Sequence, residues 1–258
     1  MKRLSRYALY IALCLSLNVN AAVPDSSKMA HWFKQPVELD GWQFTHQAEQ
    51  FTLTPKPQSE AHGEVTYAPK HRPCVVSVPH RFHDKHTQTI GEHIFQHSCQ
   101  VLLNNTKHRY DNDNDNDNDN NDTTKNYDYA KQPHNIHASA TVAFTSLHPT
   151  AKVFQIHGFS QKKRKTDGGK LSEIILSQGK TNDDTLWKLK SCLVKQGYRA
   201  LIYPQEVQEL GGTQNIMHQL ALPEYSFIHI ELSYQTRKQL INNNQQLEQF
   251  TKCVQSLL

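Results

Sequence analysis

Val153-Phe154-Gln155-Ile156-His157-Gly158-Phe159 is a run of β-favouring residues that reaches a histidine where a strand should stop. Val75-Val76-Ser77-Val78-Pro79-His80 repeats the arrangement, and Phe227-Ile228-His229-Ile230-Glu231-Leu232-Ser233 carries a carboxylate in the same setting. Working outward, strands are expected at 74–79, 100–104, 152–157, 173–177, 199–203 and 225–232. Helices are expected at 87–98, 137–147, 181–196, part of 213–221 and 234–257. Strand–helix alternation of this kind predicts an α/β fold, a single domain with a central mixed, mostly parallel sheet flanked by helices. In the last helix Leu240, Leu247, Phe250, Val254 and Leu257 form an amphipathic stripe that reads as core packing.

The ends of the chain's strands carry its chemistry. Ligands of open α/β sheets bind beyond the carboxyl ends of the strands, and His80 and His157 are both delivered there. Side chains alternate across a strand, so Ile228, Ile230 and Leu232 share one face while His229, Glu231 and Phe227 share the other. A carboxylate inside such a strand is costly to bury unless it is paired or used. It is either half of an ion pair with a Lys or Arg, or a general base beside a metal. Catalytic zinc takes three protein ligands, often two His and one carboxylate, and leaves one position open. His80 and His157 supply the imidazoles; Asp84 is the candidate carboxylate because it shares a loop with His80, with His83 and Glu92 as competitors.

The remaining features bound the cellular setting. Lys2, Arg3 and Arg6, the apolar Tyr7 to Leu17 and the small residues before Ala22 read as a signal peptide over 1–21. Secreted or periplasmic localisation is expected, with no membrane contact after cleavage. The remaining Cys74, Cys99, Cys192 and Cys253 are an even set, which in an exported chain favours disulfides. The pairs Cys74–Cys99 and Cys192–Cys253 are preferred because each ties an element to a near neighbour. Residues 22–70 are polar and proline-containing, and read as an N-terminal extension with short strands near Trp42 and Phe51. The alternating Asp/Asn tract at 111–122 has nothing apolar to bury and reads as a disordered insertion. It lacks the Gly and terminal Glu of a calcium loop.

The formal charge of the whole chain is +4, and its basic residues are scattered except for Lys162-Lys163-Arg164-Lys165. That cluster follows the His157 loop closely enough to meet a substrate anion. No nucleic-acid motif accompanies it, so no nucleic-acid partner is expected. Leu210-Gly211-Gly212-Thr213-Gln214-Asn215 could let a backbone approach closely, with Thr213 capping a helix or Thr213 or Asn215 facing a substrate amide. There is no Gly-x-Ser-x-Gly elbow and no Walker loop, which removes serine hydrolases and P-loop NTPases.

Four short motifs in order carry a family resemblance: Val-Pro-His at 78–80, His-Arg at 108–109, Gln-Ile-His-Gly-Phe at 155–159, and Ile-Glu-Leu-Ser with a following Arg at 230–237. In this order the chain resembles the N-formylglutamate amidohydrolase-like group, within the wider zinc carboxypeptidase-like (zinc-dependent exopeptidase) fold, over about residues 74–258. The resemblance implies an α/β metallohydrolase-like domain at 71–258, zinc held by His80, His157 and an acidic residue, Glu231 as catalytic base and Arg109 as the clamp for a substrate carboxylate. It departs at two places: the carboxypeptidases' acidic ligand falls at the position of His83, and the Asp/Asn tract overwrites the acid-and-arginine motif near Arg109. The activity implied is cleavage of an amide bond in a small peptide-like or N-acyl amino acid substrate by a zinc enzyme; separately, a monomer is expected. A non-catalytic periplasmic histidine-rich metal carrier is the alternative, built on His80, His83, His86, His93 and His97.

Overall fold

The computed structural model describes residues 22–57, 59, 61–110 and 127–258. The signal-peptide segment 1–21 and the Asp/Asn tract lie outside the described residues. The elements in chain order are α1 (Ser26–Lys34), β1 (Trp42–Gln47), β2 (Gln50–Pro55), β3 (Glu64–Tyr67), β4 (Arg72–Val78), α2 (Thr87–His97), β5 (Cys99–Asn104), α3 (Ile136–Leu147) and β6 (Lys152–Phe159). They continue with α4 (Asp167–Leu171), β7 (Ile174–Ser177), α5 (Asp184–Lys195), β8 (Ala200–Ile202), β9 (Phe227–Ser233), α6 (Tyr234–Asn242) and α7 (Asn244–Gln255).

Among the described residues, the nine strands form one sheet in the order β1-β2-β3-β5-β4-β6-β9-β7-β8. The central four, β5-β4-β6-β9, run parallel. β1, β2 and β3 add to β5 antiparallel, and the parallel pair β7–β8 joins β9 antiparallel. The polar stretch before residue 70 therefore supplies three strands of the same sheet. The fold is a single α/β domain with a mixed sheet flanked by helices.

Strand alternation splits the core in two. Val76, Val78, Phe154, Ile156, Ile228, Ile230 and Leu232 face α2, α5 and α7 through Ile90, Ile94, Leu189, Leu193, Phe250 and Val254. Val75, Val101, Leu103, Val153 and Phe227 face α1 and α3 through Trp32, Phe33, Ile136 and Phe144. Burying apolar side chains at roughly 25 cal/mol per Å² is what holds both helical layers to the sheet. The C-terminal stripe joins the first of these cores: Leu240, Leu247, Phe250 and Val254 are buried in it and Leu257 packs against it.

The expected helix over 234–257 is two. Asn243 ends α6, and its side-chain oxygen accepts the Gln246 N–H at 3.1 Å to start α7. An asparagine that bonds a neighbouring backbone amide competes with helix continuation. The helix expected near 213–221 is a single 3-10 turn, Ile216–His218, capped by Asn215 rather than Thr213. α1 was not anticipated, although Asp25 caps it by accepting the Lys28 N–H at 2.8 Å. Cys74–Cys99 ties β4 to β5 and Cys192–Cys253 ties α5 to α7, the preferred connectivity. Among the described residues no helix is long and apolar enough to cross a membrane.

Candidate metal centre and active-site cleft

β4, β6 and β9 are consecutive in the sheet and parallel, so their carboxyl ends lie side by side. Their register then sets the site. His157 on β6 is paired with Glu231 on β9, and one pleat back Gln155 is paired with both His229 and Ser77. Period-two alternation places these polar side chains on one face, beyond Val75, Val153 and Phe227, and Val76, Phe154, Ile156, Ile228 and Ile230 on the other.

β4 ends at Val78, and the chain turns sharply after it: the Asp84 N–H donates to the His80 carbonyl at 2.7 Å. That turn brings Asp84 back over His80. The Asp84 Oδ2 stands 3.5 Å from His80 Nδ1 and 3.7 Å from His157 Nδ1, and accepts the Gly158 N–H at 3.0 Å. The two Nδ1 atoms are 3.1 Å apart. His80, Asp84 and His157 are all buried, and they form the one group of three metal-capable side chains among the described residues. His83 and Glu92 stay outside it: His83 packs on His108 and Tyr110, and Glu92 accepts from Gln88 within α2.

The hydrogen bonds behind the imidazoles decide which nitrogens face the group. His80 Nε2 is 2.7 Å from Asp128 Oδ1, and a carboxylate can only accept, so the proton sits on Nε2. His157 Nε2 is 2.8 Å from Gln155 Oε1. Gln155 orients that oxygen by taking a bond from Asn215 Nδ2 and giving one from its own Nε2 to Ser77 Oγ at 3.4 Å. Both Nδ1 lone pairs are thereby turned toward the Asp84 carboxylate. Arg109 reaches the same place: it ion-pairs with Asp128, and its Nη1 lies 3.3 Å from His80 Nδ1.

Three lone pairs converging in a buried spot repel one another unless a cation sits between them. Bonds of about 2.0–2.2 Å in a tetrahedral arrangement put donor atoms about 3.3–3.6 Å apart, close to the separations observed. The donor set, two imidazoles and a carboxylate with partners behind each imidazole, suits a catalytic zinc. The electrostatics agree in sign. Burial works against the charge on Asp84, but the imidazoles of His157 and His80 outweigh it and hold its carboxyl far below the usual range. Burial, helped by neighbouring His229, pushes His157 down to about 4. Burial also opposes the charge on His80, yet hydrogen bonds to Asp128 and Asp84 raise it.

Glu231 is buried beside this group. Its Oε1 lies 3.3 Å from His229 Nε2, and its Oε2 has no hydrogen-bond partner. The Lys or Arg partner that a purely structural role would require is not within ion-pair range among the described residues. Around these residues opens a cleft of about 1090 Å³, with Lys162, Lys163 and Arg164 on its rim and Gly211 to Asn215 along one wall. At Gly212 (φ +59°) a Cβ would stand 2.9 Å from the His229 ring, so the Gly-Gly pair does bring backbone close to the site. Sequence reasoning missed Asp128 and Gln155. Asp128 sits in an aperiodic loop next to the acidic tract, and Gln155 reads as an ordinary strand residue.

No protein-family model matches the sequence, and no curated protein matches it. The chain is similar to several solved structures at low identity. One is N-formylglutamate amidohydrolase from Ralstonia eutropha JMP134, at 12% identity over 76% of this chain and 95% of that one, with a TM-score of 0.49. Another is a bacteriophage poly-gamma-glutamate hydrolase, at 11% identity over 77% and 88%, with a TM-score of 0.43. A third is a zinc-free form of YNDL, at 15% identity over 76% and 88%, with a TM-score of 0.43. Likeness at this level transfers neither substrate nor residue roles.

Proposed function

We propose that this chain is an exported zinc-dependent hydrolase that cleaves an amide bond in a peptide-like or N-acyl amino acid substrate. The observation that carries the reading is the convergence of His80 Nδ1, Asp84 Oδ2 and His157 Nδ1, beside the unpartnered Oε2 of Glu231. Zinc held there by His80, Asp84 and His157 supplies Lewis acidity and lowers the pKa of water to about 7.

The chain's own groups do the rest. Glu231, dry and adjacent, takes a proton from the attacking water and later delivers it to the leaving nitrogen. Asp128 and Gln155 hold the two imidazoles in the tautomer that leaves Nδ1 open. Arg109, paired to Asp128 on the cleft wall, presents positive charge to a substrate carboxylate. Two disulfides fit an oxidising compartment and so support export. The carrier alternative finds less support, since His83, His86, His93 and His97 do not join the metal-capable group.

The test is metal analysis of protein purified without chelator, followed by hydrolysis assays on N-acyl amino acids and short peptides. One tightly held zinc per chain with amide cleavage is expected. Protein that holds no zinc and takes none up overturns the proposal.

A further inference from the structure

The end of α2 carries two histidines one helical turn apart, His93 and His97, and neither lines the cleft. Side chains at i and i+4 are neighbours on a helix surface. Here the two rings stack, with centroids 4.2 Å apart and planes 26° from parallel. His93 is half-buried and His97 is exposed, so both reach solvent.

Each ring has its Nδ1 already engaged. His97 Nδ1 lies 2.8 Å from the His93 carbonyl, which can only accept, so the proton sits on Nδ1 and the Nε2 lone pair is left open. His93 Nδ1 lies 2.9 Å from the hydroxyl of Thr251, a buried residue of α7. A hydroxyl can accept as well as donate, so Thr251 can receive the Nδ1 proton and leave His93 presenting Nε2 in the same way. Metal-bound histidines are held by such a partner behind the other ring nitrogen, and both rings have one.

Charge favours the same use. Two imidazoles this close repel one another when both are protonated. Burial, and then the neighbouring His97, holds His93 below its ordinary value against the opposing pull of Glu248. Glu248, on α7, lies in the field of both rings, and its carboxylate also pairs with Lys252 at 2.7 Å.

We propose that His93 and His97 form a second metal site, apart from the cleft, that takes a divalent transition ion through two imidazole nitrogens and holds copper(II) most tightly. Copper(II) heads the divalent series for nitrogen ligands, and water completes its coordination. Calcium and magnesium, which take oxygen ligands, are not bound. Glu248 contributes negative charge from the adjacent helix. The assignment is independent of the hydrolase reading.

The test titrates copper(II) into the purified protein against glycine as a competing ligand, with electron paramagnetic resonance reading the nitrogen ligands. His97→Gln and His93→Gln should each weaken one copper equivalent by at least the cost of losing a partner behind a ligand, about tenfold, and should remove one nitrogen from its spectrum. His97 is exposed, so its variant stays folded even if the His93 variant does not. His71→Gln, a change on the loop before β4, should leave that equivalent untouched. The proposal is overturned if folded His97→Gln binds copper as the wild type does, or if His71→Gln weakens the same equivalent as much. Copper taken up by the cleft is unaffected by these substitutions, so the difference between wild type and variant belongs to this site alone. A cleft that holds no metal leaves that difference standing.

Discussion

Replacing Gln155 with Leu isolates the contribution of the hydrogen bonds behind His157. Gln155 is fully buried, and its Oε1 is the acceptor for His157 Nε2 at 2.8 Å and for the Asn215 amide. Leucine fills similar space but leaves both donors dry and unpaired. Each such orphan costs about 1–3 kcal/mol, so a stability loss of about 2–6 kcal/mol is expected. More specifically, His157 loses the bond that keeps its proton on Nε2. The Nδ1-protonated tautomer becomes accessible, and it has no lone pair to offer the group. Loss of a partner behind a metal-ligating histidine lowers metal affinity by about 10–100-fold. Competition titrations against a chromophoric zinc chelator measure this, with thermal melts confirming that the variant is folded at the assay temperature. Gln155→Glu is the control: it keeps an acceptor toward His157 and should bind zinc at least as well as the wild type. Folded Gln155→Leu protein whose zinc affinity stays within about threefold of wild type would refute the tautomer argument.

Glu231→Gln should lower kcat by about 10²–10⁴-fold while zinc content and Tm stay near wild type, because the close ionic contact it gives up is to His229; a destabilised variant that still turns over contradicts the general-base role. The Cys192→Ser/Cys253→Ser double variant removes a link spanning 61 residues, worth about 4 kcal/mol of loop-closure entropy, so its Tm should fall clearly in melts under oxidising conditions. An unchanged Tm would mean that apolar packing alone holds α5 against α7. Burial pushes His137 down to about 3, whereas the unfolded chain titrates near 6.5. Between these values the unfolded state binds the extra proton, so stability is fully present above about pH 6.5 and declines as pH falls, by up to about 1.4 kcal/mol per unit. Urea midpoints measured for His137→Gln across acidic pH should show a slope shallower by one proton, and an identical slope removes His137 from the account.

Several features of the site could be read along the chain because they are local. The alternation in Phe227–Ser233 puts His229 and Glu231 on one face, and those two side chains do share it, 3.3 Å apart. Asp84 follows His80 by four residues on one loop, and a tight turn suffices to fold it back. Cys74 and Cys99 flank a helix that must return to the sheet, which keeps them near neighbours. Helix punctuation is harder to read: Asn243 splits the last helix, and Asn215 takes the cap expected of Thr213. In both cases a short polar side chain reached a backbone amide, which no apolar period records.

Local sequence carries where strands end in histidine and carboxylate, which face each alternating side chain occupies, and a preference among the three possible cysteine pairings. These follow from dihedral preferences and side-chain periods that act over a few residues. Only the tertiary structure decided that β4, β6 and β9 are neighbours, that β1 to β3 extend the same sheet, and that Asp128 backs His80 while Arg237 fills the place of a side chain at Gly158. Those outcomes depend on pairings between residues tens of positions apart. Loop closure makes such pairings costly until the buried apolar area on both faces of the sheet offsets it.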